Sequence, residues 1–397
     1  MHNVLWAHYK SLLFKRLAQQ FVAPDTLLVI QLALTEAHRK GLGTPSTEAV
    51  GYPFQVLHNG SLDDLPLRQR LVKLIRAALA FRPDVVLLTG YYDPAQLLLG
   101  TLLKARGCRV VLQSESTRLD NPRTGWRDHW RSALKRAFVR LCDGYFCFGT
   151  RAAEYLQELG AAPTDILVRN NAVVDNATLA QTYAANLPQR VSRQQTLGLK
   201  PHNLIYVGRL IAIKNLSALL DAFANVVQTT PDAADWGLIV LGEGDQKAAL
   251  QAQATALNLA DRVAFLPGCD WPDVPAYLAL ADALVLPSLS EPWGLVVNEA
   301  MACGLPVLVS DRCGCAVDLV RDGLNGYTFA PAAATDSADA PDSLTQRLRQ
   351  LLTASPQALT RMGTESARLV QAFDPDQVGK AMYDGLKKVV GETAARS

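Results

Sequence analysis

Short apolar runs alternate with longer helical patterns along the second half of the chain. The runs are rich in β-branched residues and have the length of a strand, whereas the segments between them repeat apolar positions with the period of a helix. Predicted strands are 204–207, 237–241, 263–266, 283–286, 307–309 and 326–329, and predicted helices are 215–227, 245–256, 274–279 and 294–302. This alternation is typical of a doubly wound parallel sheet.

The first half repeats the pattern less regularly. Predicted strands are 4–7, 27–30, 85–88, 110–112 and 145–148, and predicted helices are 65–80, 94–105, 127–141 and 151–159. Residues 176–195 lose the apolar periodicity and gain Asn, Gln and Pro, so we predict an interdomain linker there. The sequence thus predicts domains at 1–185 and 196–374, followed by a C-terminal helix within 375–397 that packs back across the linker.

The composition agrees with this division. A chain of 397 residues exceeds what one ordinary hydrophobic core supports, so two domains are expected. None of its apolar runs approaches the ~20 residues of a membrane-spanning helix, and Lys10, Lys15 and Arg16 interrupt the apolar N-terminal stretch. A cytoplasmic location is therefore expected. The seven cysteines have no regular spacing and are predicted to be reduced thiols without a metal.

The net charge of +2 conceals an asymmetry, because residues 1–195 carry 24 Lys plus Arg against 15 Asp plus Glu. Within this basic half, the predicted helix at 126–141 has an apolar stripe surrounded by arginines and lysines. The stripe consists of Trp126, Trp130, Leu134, Phe138 and Leu141. It indicates either a helix that faces the core with a solvated basic side, or peripheral contact with an anionic membrane. Nucleic acid is not an expected partner.

The segment at 288–304, SLSEPWGLVVNEAMACG, joins a predicted strand end to a predicted helix start. Ligands of open α/β sheets bind beyond the carboxyl ends of the strands, so Glu291 is expected in that crevice. A helix that starts near Gly294 directs its unpaired N–H groups and positive dipole end to the same space, which suits a diphosphate. Glu299 follows about one and a half turns into the helix, where its carboxylate can accept hydrogen bonds from two ribose hydroxyls.

Two earlier strand ends also carry polar residues. After the first strand of the second half, Arg209 offers paired donors and Lys214 a compact charge, which together suit a leaving diphosphate without a metal. After the next strand, the sequence GEG around Glu243 predicts a turn whose backbone can approach a base or a ribose. Glu243 is then either a ligand contact or a turn residue.

The motifs VGRL…KN, LGEG, FLPG, ADALVLPS, EPWG…NEAMACG and GLNGYTF follow one another through residues 204–331. Their order resembles the retaining glycosyltransferases of the GT-B fold, in family 4 or glycosyl transferases group 1. The resemblance implies two Rossmann-like, doubly wound parallel-sheet domains that face each other across a cleft. It also implies a hexosyl transfer from a nucleotide diphosphate sugar, such as a UDP-sugar, without a cofactor. A sugar, a lipid-linked intermediate of polysaccharide biosynthesis or a small molecule is the expected acceptor.

The resemblance further implies roles for individual residues. Glu291 contacts the donor sugar near the reacting carbon, while Arg209 and Lys214 bind the diphosphate. The other implied donor-binding residues are Glu299 at the ribose, the backbone of Gly294, Leu295 and Val296 at the helix start, and Cys269 beside the base.

The first half departs from the family pattern on the acceptor side. Many relatives have a glycine pair after the first strand, whereas this chain has His8 close behind it. Many also have a histidine after a later strand, where this chain has Glu115, interpreted as its substitute or as the partner of a nearby arginine. Tyr91 and Asp93 follow another strand and are further acceptor-side candidates, although Asp93 before a proline also suits a helix start.

Three other functions fit the same sequence features. Nucleotide-sugar epimerases and phosphorylases share the two-domain architecture, and they differ from a transferase in their products. A non-catalytic nucleotide-sugar binding protein is the third alternative, and it requires a decayed donor site.

Overall fold

The computed structural model describes residues 2–4, 8–35, 50–91, 93–121, 126–331 and 340–394. The chain forms two compact units, one of Met1–Val174 with Phe373–Ser397 and one of Asp175–Ala372. We call these unit 1 and unit 2.

The described residues of unit 1 begin with seven strands and five α-helices. In chain order these are β1 His2–Val4, α1 His8–Ala18, β2 Val29–Ala33, β3 Phe54–Val56, α2 Leu67–Phe81, β4 Val85–Thr89, α3 Pro94–Ala105, β5 Arg109–Ser114, α4 Trp126–Leu141, β6 Gly144–Cys147, α5 Thr150–Glu158 and β7 Ile166–Val168. One parallel sheet has the order β1-β2-β3 and another has the order β4-β5-β6-β7. In the second sheet, Thr89 at the end of β4 lies directly beside Gln113 of β5.

Unit 2 contains one six-stranded parallel sheet with helices around it. Its elements are α6 Asn176–Asn186, α7 Arg190–Thr196, β8 His202–Val207, α8 Leu216–Thr229, β9 Trp236–Leu241, α9 Lys247–Ala256, β10 Val263–Leu266, α10 Val274–Leu278, β11 Ala283–Leu286, α11 Leu295–Ala302, β12 Val307–Ser310, α12 Ala316–Leu319, β13 Gly326–Phe329, α13 Leu344–Leu352 and α14 Pro356–Leu369. Every residue of β9, β11 and β12 is buried. Covered on both faces, such strands are apolar throughout, which explains why the sequence predicts them well.

The strand order of unit 2 is β10-β9-β8-β11-β12-β13. Counted from β8, this is the 3-2-1-4-5-6 order of the dinucleotide-binding fold, in which the connections change direction between the first and the fourth strand. The change falls between β8 and β11, so loops on opposite sides diverge there and leave a crevice. The predicted doubly wound parallel architecture is confirmed.

The last helix, α15 Pro375–Ala394, packs on α1 and β7 of unit 1. The Asp374 carboxylate caps its start by accepting hydrogen bonds from the backbone N–H groups of Asp376 and Gln377 at 3.0 and 3.1 Å. Farther along, the Tyr383 hydroxyl donates to Asp25 at 2.7 Å. The helix therefore belongs to the first unit although it follows the second in the chain.

Residues 176–195 differ from the prediction of an irregular linker. They form α6 and α7, joined by a short 3-10 helix. Asp175 caps α6 by accepting from the Thr178 N–H at 3.0 Å, and Leu179 of α6 is fully buried. Because α6 carries Ala, Thr and Asn at most positions, its sequence shows little amphipathic contrast, although the helix packs against α10 and α11.

Candidate active site

The loops after β8 and β11 meet where the strand connections of unit 2 change direction. The first loop carries Arg209 and Lys214, and the second carries Glu291. β8 and β11 are hydrogen-bonded neighbours in the sheet, so their carboxyl ends lie side by side. The predicted diphosphate-binding and sugar-binding residues thus follow neighbouring strand ends.

Lys214 and Glu291 form a direct ion pair between these two loops. The Lys214 ammonium donates to Oε2 of Glu291, and the Ser288 hydroxyl donates to the same oxygen at 3.5 Å. The two charged side chains are only 14% and 18% exposed. An ion pair shielded from water is screened weakly, so the lysine and the carboxylate fix each other's positions.

The loop that carries Glu291 is also held by its backbone. The Glu291 N–H donates to the carbonyl of Arg312 at 3.2 Å, and the Glu291 carbonyl accepts from Gly314 at 2.9 Å. Farther along, the Trp293 indole N–H donates to the side chain of Asn298 at 2.8 Å, and both groups are buried. These contacts fix the backbone of the loop and therefore restrict the position of the Glu291 carboxylate.

Helix α11 starts at a glycine that no other residue replaces without strain. Gly294 has φ +102°, and a Cβ on it would lie 2.8 Å from Cδ2 of Leu286. The following residues, Leu295 and Val296, are half-buried and belong to the first turn, whose N–H groups have no partner within the helix. This turn begins four residues after Glu291.

Arg209 lies on the same loop as Lys214, but its side chain is exposed. Its backbone carbonyl accepts a hydrogen bond from the buried Tyr206 side chain at 2.9 Å, which fixes the backbone of the loop and leaves the guanidinium at the surface. The structure thus brings Lys214 and Glu291 into contact, whereas Arg209 contributes a cation at the surface of this loop.

Glu243 and its flanking glycines have a packing role. A Cβ on Gly242 would lie 1.9 Å from the carbonyl oxygen of Gly208, because the loops after β8 and β9 are in direct backbone contact. The Leu210 N–H donates to the carbonyl of Glu243 at 2.8 Å, while the Glu243 carboxylate is exposed and pairs with Lys247 at 2.8 Å. These contacts place Glu243 in a turn with its carboxylate directed to a neighbouring lysine, and its contact with a ligand stays a prediction.

Glu299 is buried inside α11. One of its oxygens, Oε1, accepts a hydrogen bond from the Trp271 indole N–H at 3.0 Å. Burial raises the pKa of Glu299 to about 7, and the hydrogen bond from Trp271 offsets only part of that shift. Cys269 lies close enough for the Glu299 charge to affect it, and burial together with nearby carboxylates raises the pKa of its thiol to about 11. Cys269 is therefore a neutral thiol.

Two family models match the chain in succession. Residues 189–355 match glycosyl transferases group 1, and residues 15–172 match the glycosyl transferase 4-like domain. Glycosyl transferase models thus match both halves of the chain. Its relatives include D-inositol 3-phosphate glycosyltransferase of Rhodococcus erythropolis, which is 31% identical over 250 residues, 60% of this chain and 52% of that protein. The chain spans about half the length of the curated relatives that it matches.

Solved structures of glycosyltransferases share the whole fold. HepE from Anabaena, in complex with UDP and glucose, superposes with a TM-score of 0.67 at 22% identity and covers 95% of both chains. The lipopolysaccharide outer core galactosyltransferase WaaB, in its apo form, has the same TM-score at 17% identity and covers 98% of both chains. The predicted GT-B fold is confirmed.

The acceptor-side candidates of this chain have different surroundings. Asp93 caps α3 by accepting from the Ala95 N–H at 3.0 Å, and it pairs with Arg70 at 3.1 Å. Tyr91 is buried beneath the Lys135 ammonium, which lies 5.3 Å from the centre of its ring. Asp93 therefore starts a helix, in agreement with the simpler of its two interpretations.

Glu115 and His8 complete the predicted acceptor side. Glu115 is exposed directly after β5. The nearby Arg118 donates to the Asn121 carbonyl at 3.3 Å and lies 4.0 Å from Glu158. His8 is the first residue of α1, and its side chain lies outside the described residues. The chain thus continues as a helix where many relatives are expected to have a glycine pair.

Two polar residues of unit 1 were absent from the predicted site. Thr89 and Gln113 lie beside each other at the carboxyl ends of β4 and β5, and both line a cavity with Glu115, Asp93 and Lys10. Neither belongs to a motif. The signal that points to them is a polar residue near the carboxyl end of an otherwise apolar strand.

Three properties concern the described part of the chain as a whole. None of its helices combines the length and apolar composition that crossing a bilayer requires. Nor does it contain a cluster of three His, Cys, Asp or Glu residues arranged to hold a metal ion. All seven cysteines are free thiols, and six of them are buried.

Proposed function

We propose that this chain transfers a hexosyl group from a nucleotide diphosphate sugar to an acceptor hydroxyl, with retention of configuration and without a metal ion. The observation that carries the proposal is the Lys214–Glu291 pair beside the first turn of α11. The names of similar proteins support it, since one is a glycosyltransferase and another was crystallised with UDP and glucose.

The leaving diphosphate is the group that the site suits best. In the proposed reaction its oxygens lie at the first turn of α11, and the cationic side chains of Lys214 and Arg209 neutralise their negative charge. When the bond between the anomeric carbon and the phosphate oxygen breaks, its electron pair leaves with the nucleoside diphosphate. Preorganised donors aimed at such a developing charge contribute ~3 to 4 kcal/mol each, so two cations and a helix start supply what a metal ion provides elsewhere.

Glu291 stabilises the other product of bond breaking, a sugar with cationic character. When the Lys214 ammonium pairs with the diphosphate, the Glu291 carboxylate is free to stabilise the cationic sugar. The Lys214–Glu291 ion pair is thus replaced by two pairs, one between Lys214 and the diphosphate and one between Glu291 and the sugar. The acceptor oxygen then attacks the anomeric carbon from the face that the diphosphate leaves. Its proton passes to a phosphate oxygen of the departing group, so the protein need not supply a base.

Glu299 and Cys269 hold the nucleoside end of the donor in this proposal. The Trp271 indole donates its hydrogen bond to Oε1 of Glu299, so Oε2 can accept hydrogen bonds from the ribose hydroxyls. The half-buried Cys269 thiol follows β10 and lies beside the base. Glu243, with its carboxylate paired to Lys247, contributes only through its backbone.

Two successive measurements test the proposal. The first is a thermal-shift panel of UDP, GDP, ADP and CDP, because a ligand at ~100 times its dissociation constant adds ~2.7 kcal/mol to the stability of the folded state. The second incubates the chain with UDP-glucose, UDP-galactose, GDP-mannose and ADP-glucose in the presence of simple sugars and polyols. NMR spectroscopy then identifies the product and its anomeric configuration.

The expected result is a nucleoside diphosphate and a new glycoside with the configuration of the donor. A sugar phosphate among the products identifies a phosphorylase, and an isomerised donor identifies an epimerase. A thermal shift without turnover of any donor identifies a binding protein. Each of these three results contradicts the proposal, as does a glycoside of inverted configuration.

A further inference from the structure

A polar cavity of about 140 Å³ lies within unit 1, at the carboxyl ends of β4 and β5. A cavity of about 150 Å³ is large enough to hold a six-membered ring, as engineered cavities that bind benzene demonstrate. Gln113 projects from β5 and Thr89 from β4, and Phe148 after β6 forms part of the wall. The size of the cavity therefore suits one ring of a ligand.

Two of the polar atoms that line this cavity are buried without a hydrogen-bond partner among the described residues. One is the carboxamide oxygen of Gln113, a residue that is only 3% exposed, and the other is the hydroxyl oxygen of Thr89. Buried polar groups in native proteins are nearly always satisfied by protein, water or ligand. Because Thr89 and Gln113 lie side by side in the two strands, their polar groups suit neighbouring hydroxyls on one ring.

The charges around the cavity disfavour an anionic ligand. Asp93 lies in the lining, and its charge is compensated by Arg70 at 3.1 Å. Of the other charged residues there, Lys10 is positive and Glu115 negative, so the cavity has no excess of cations. A phosphate requires paired donors or an excess of positive charge, whereas a neutral hydroxyl group requires only the carboxamide and hydroxyl partners that are present.

We propose that this cavity binds a ring of an uncharged polyol, such as an unphosphorylated sugar or cyclitol, with Gln113 and Thr89 as the residues that select it. The inference rests on the proposed function, because the ring then belongs to the acceptor of the glycosyl transfer. The buried aromatic side chain of Phe148 gives the apolar face of the ring a surface to pack on. Hydroxyl recognition by buried polar groups discriminates strongly, since an analogue without the hydroxyl leaves those groups unpaired.

The test uses variants that remove the polar groups and keep the shape. Thr89→Val deletes one hydroxyl, and Gln113→Leu deletes the carboxamide. Gln69→Leu makes the same chemical change at an exposed position of α2 and is the matched control. The probes are methyl α-glucoside, methyl α-galactoside and myo-inositol, each compared with glucose 6-phosphate and inositol 1-phosphate. Saturation-transfer NMR measures binding, and release of nucleoside diphosphate from the donor panel measures turnover.

We expect at least one neutral probe to bind the wild-type chain and the Gln69→Leu variant. Thr89→Val and Gln113→Leu weaken that binding about tenfold or more, because each removes a hydrogen bond to the ring. The melting temperature of Thr89→Val, measured without a ligand, rises or stays unchanged, since an unpaired buried hydroxyl is lost. A merely structural role of Thr89 would instead lower the melting temperature.

The inference and the proposed function fail in different ways. Preferential binding of the phosphorylated probes, binding of none of the neutral probes, or unchanged binding by both variants overturns the inference, even if a donor sugar is transferred. Failure to release nucleoside diphosphate from any donor overturns the proposed function, while the binding measurements still decide whether the cavity holds a polyol. Slow hydrolysis of the donor without an acceptor is expected to be equal in wild type and the Gln69→Leu control.

Discussion

At the scale of single residues, two carboxylates of unit 2 have different environments that match different tasks. Glu291 is largely buried and paired with the Lys214 ammonium, whereas Glu299 is buried and accepts a hydrogen bond from the Trp271 indole. The sequence predicts that both face a donor, because their spacing across a strand end and a helix start fits a nucleotide sugar. It does not predict their partners, since Lys214 and Trp271 approach from distant positions along the chain. Side-chain pairing of this kind depends on the tertiary structure.

The buried Glu299 makes stability depend on pH. Its pKa is about 7 in the folded chain against 4.5 for an unperturbed glutamate. The folded state therefore binds a proton that the unfolded state has lost, and wild-type stability decreases as the pH rises from about 4.5 to about 7. Glu299→Gln removes this titration, so we predict that the variant gains up to about 3 kcal/mol relative to wild type across that window.

Urea unfolding at pH 5, 6, 7 and 8 measures this difference. Glu365→Gln, the same change on the outer side of α14 where Glu365 pairs with Arg368, is the control and should follow the wild-type profile. A constant difference between Glu299→Gln and wild type at every pH would mean that Glu299 is not held protonated by burial.

The start of α11 yields a second prediction for a single residue. Gly294→Ala places a Cβ against Leu286 and forces a non-glycine residue to φ +102°, so we expect a loss of about 1 to 3 kcal/mol in the free energy of unfolding. Gly391→Ala in α15 is the control, because nothing lies within 4 Å of its added Cβ. The control should be neutral or slightly stabilising, as alanine favours a helix. Equal effects of the two substitutions would show that Gly294 is not under conformational constraint.

At the scale of elements, the strands of unit 2 are predictable and the edges of unit 1 are not. Strands β9, β11 and β12 are buried along their whole length; β9 and β11 are unbroken apolar runs, and β12 is apolar up to its last residue, Ser310. In contrast, β3 and β7 are three-residue strands at the edges of their sheets, too short for a periodic signal. The sequence likewise fails to indicate α6, α7, α13 and α14. Their helical conformation is supported by caps and by packing, which a local pattern does not reveal.

Of the predicted stripe of helix α4, the side chains of Leu134, Phe138 and Leu141 are described, whereas those of Trp126 and Trp130 lie outside the described residues. Phe138 is buried, whereas Leu134 is 69% exposed near the exposed Arg136. The exposed arginines Arg131, Arg136 and Arg140 form a basic face on α4, and we predict that this face binds anionic lipid. The chain is then expected to float with vesicles containing phosphatidylglycerol at low salt and to dissociate at high salt, because the attraction is electrostatic.

Arg136→Glu should weaken flotation, and Arg361→Glu, an exposed arginine of α14, is the control for the same charge change. Vesicles of phosphatidylcholine alone should not recruit the chain. Failure of wild type to associate with anionic vesicles at low salt would remove the lipid interaction and leave α4 as a helix with a solvated basic side.

At the scale of the whole molecule, the chain order and the spatial order differ. The C-terminal helix α15 belongs to unit 1 and contacts α1, although the whole of unit 2 lies between them in the sequence. The number of units and their α/β class follow from length and hydrophobic pattern. The assignment of α15 to unit 1 and the division of the chain at Val174 depend on long-range contacts, which no local pattern encodes.

The central claim is that Glu291, held by Lys214 at the change of strand direction, acts on the donor sugar. The most direct test compares kcat of Glu291→Gln with those of wild type and the control Glu365→Gln, using the donor and acceptor identified by the product analysis. The affinity for the nucleoside diphosphate is measured in parallel to show that the site remains folded. We predict that kcat falls about 100-fold or more in Glu291→Gln, as for other preorganised electrostatic groups, while the affinity changes only a few-fold and the control retains its activity. Turnover of Glu291→Gln close to that of wild type would contradict the account.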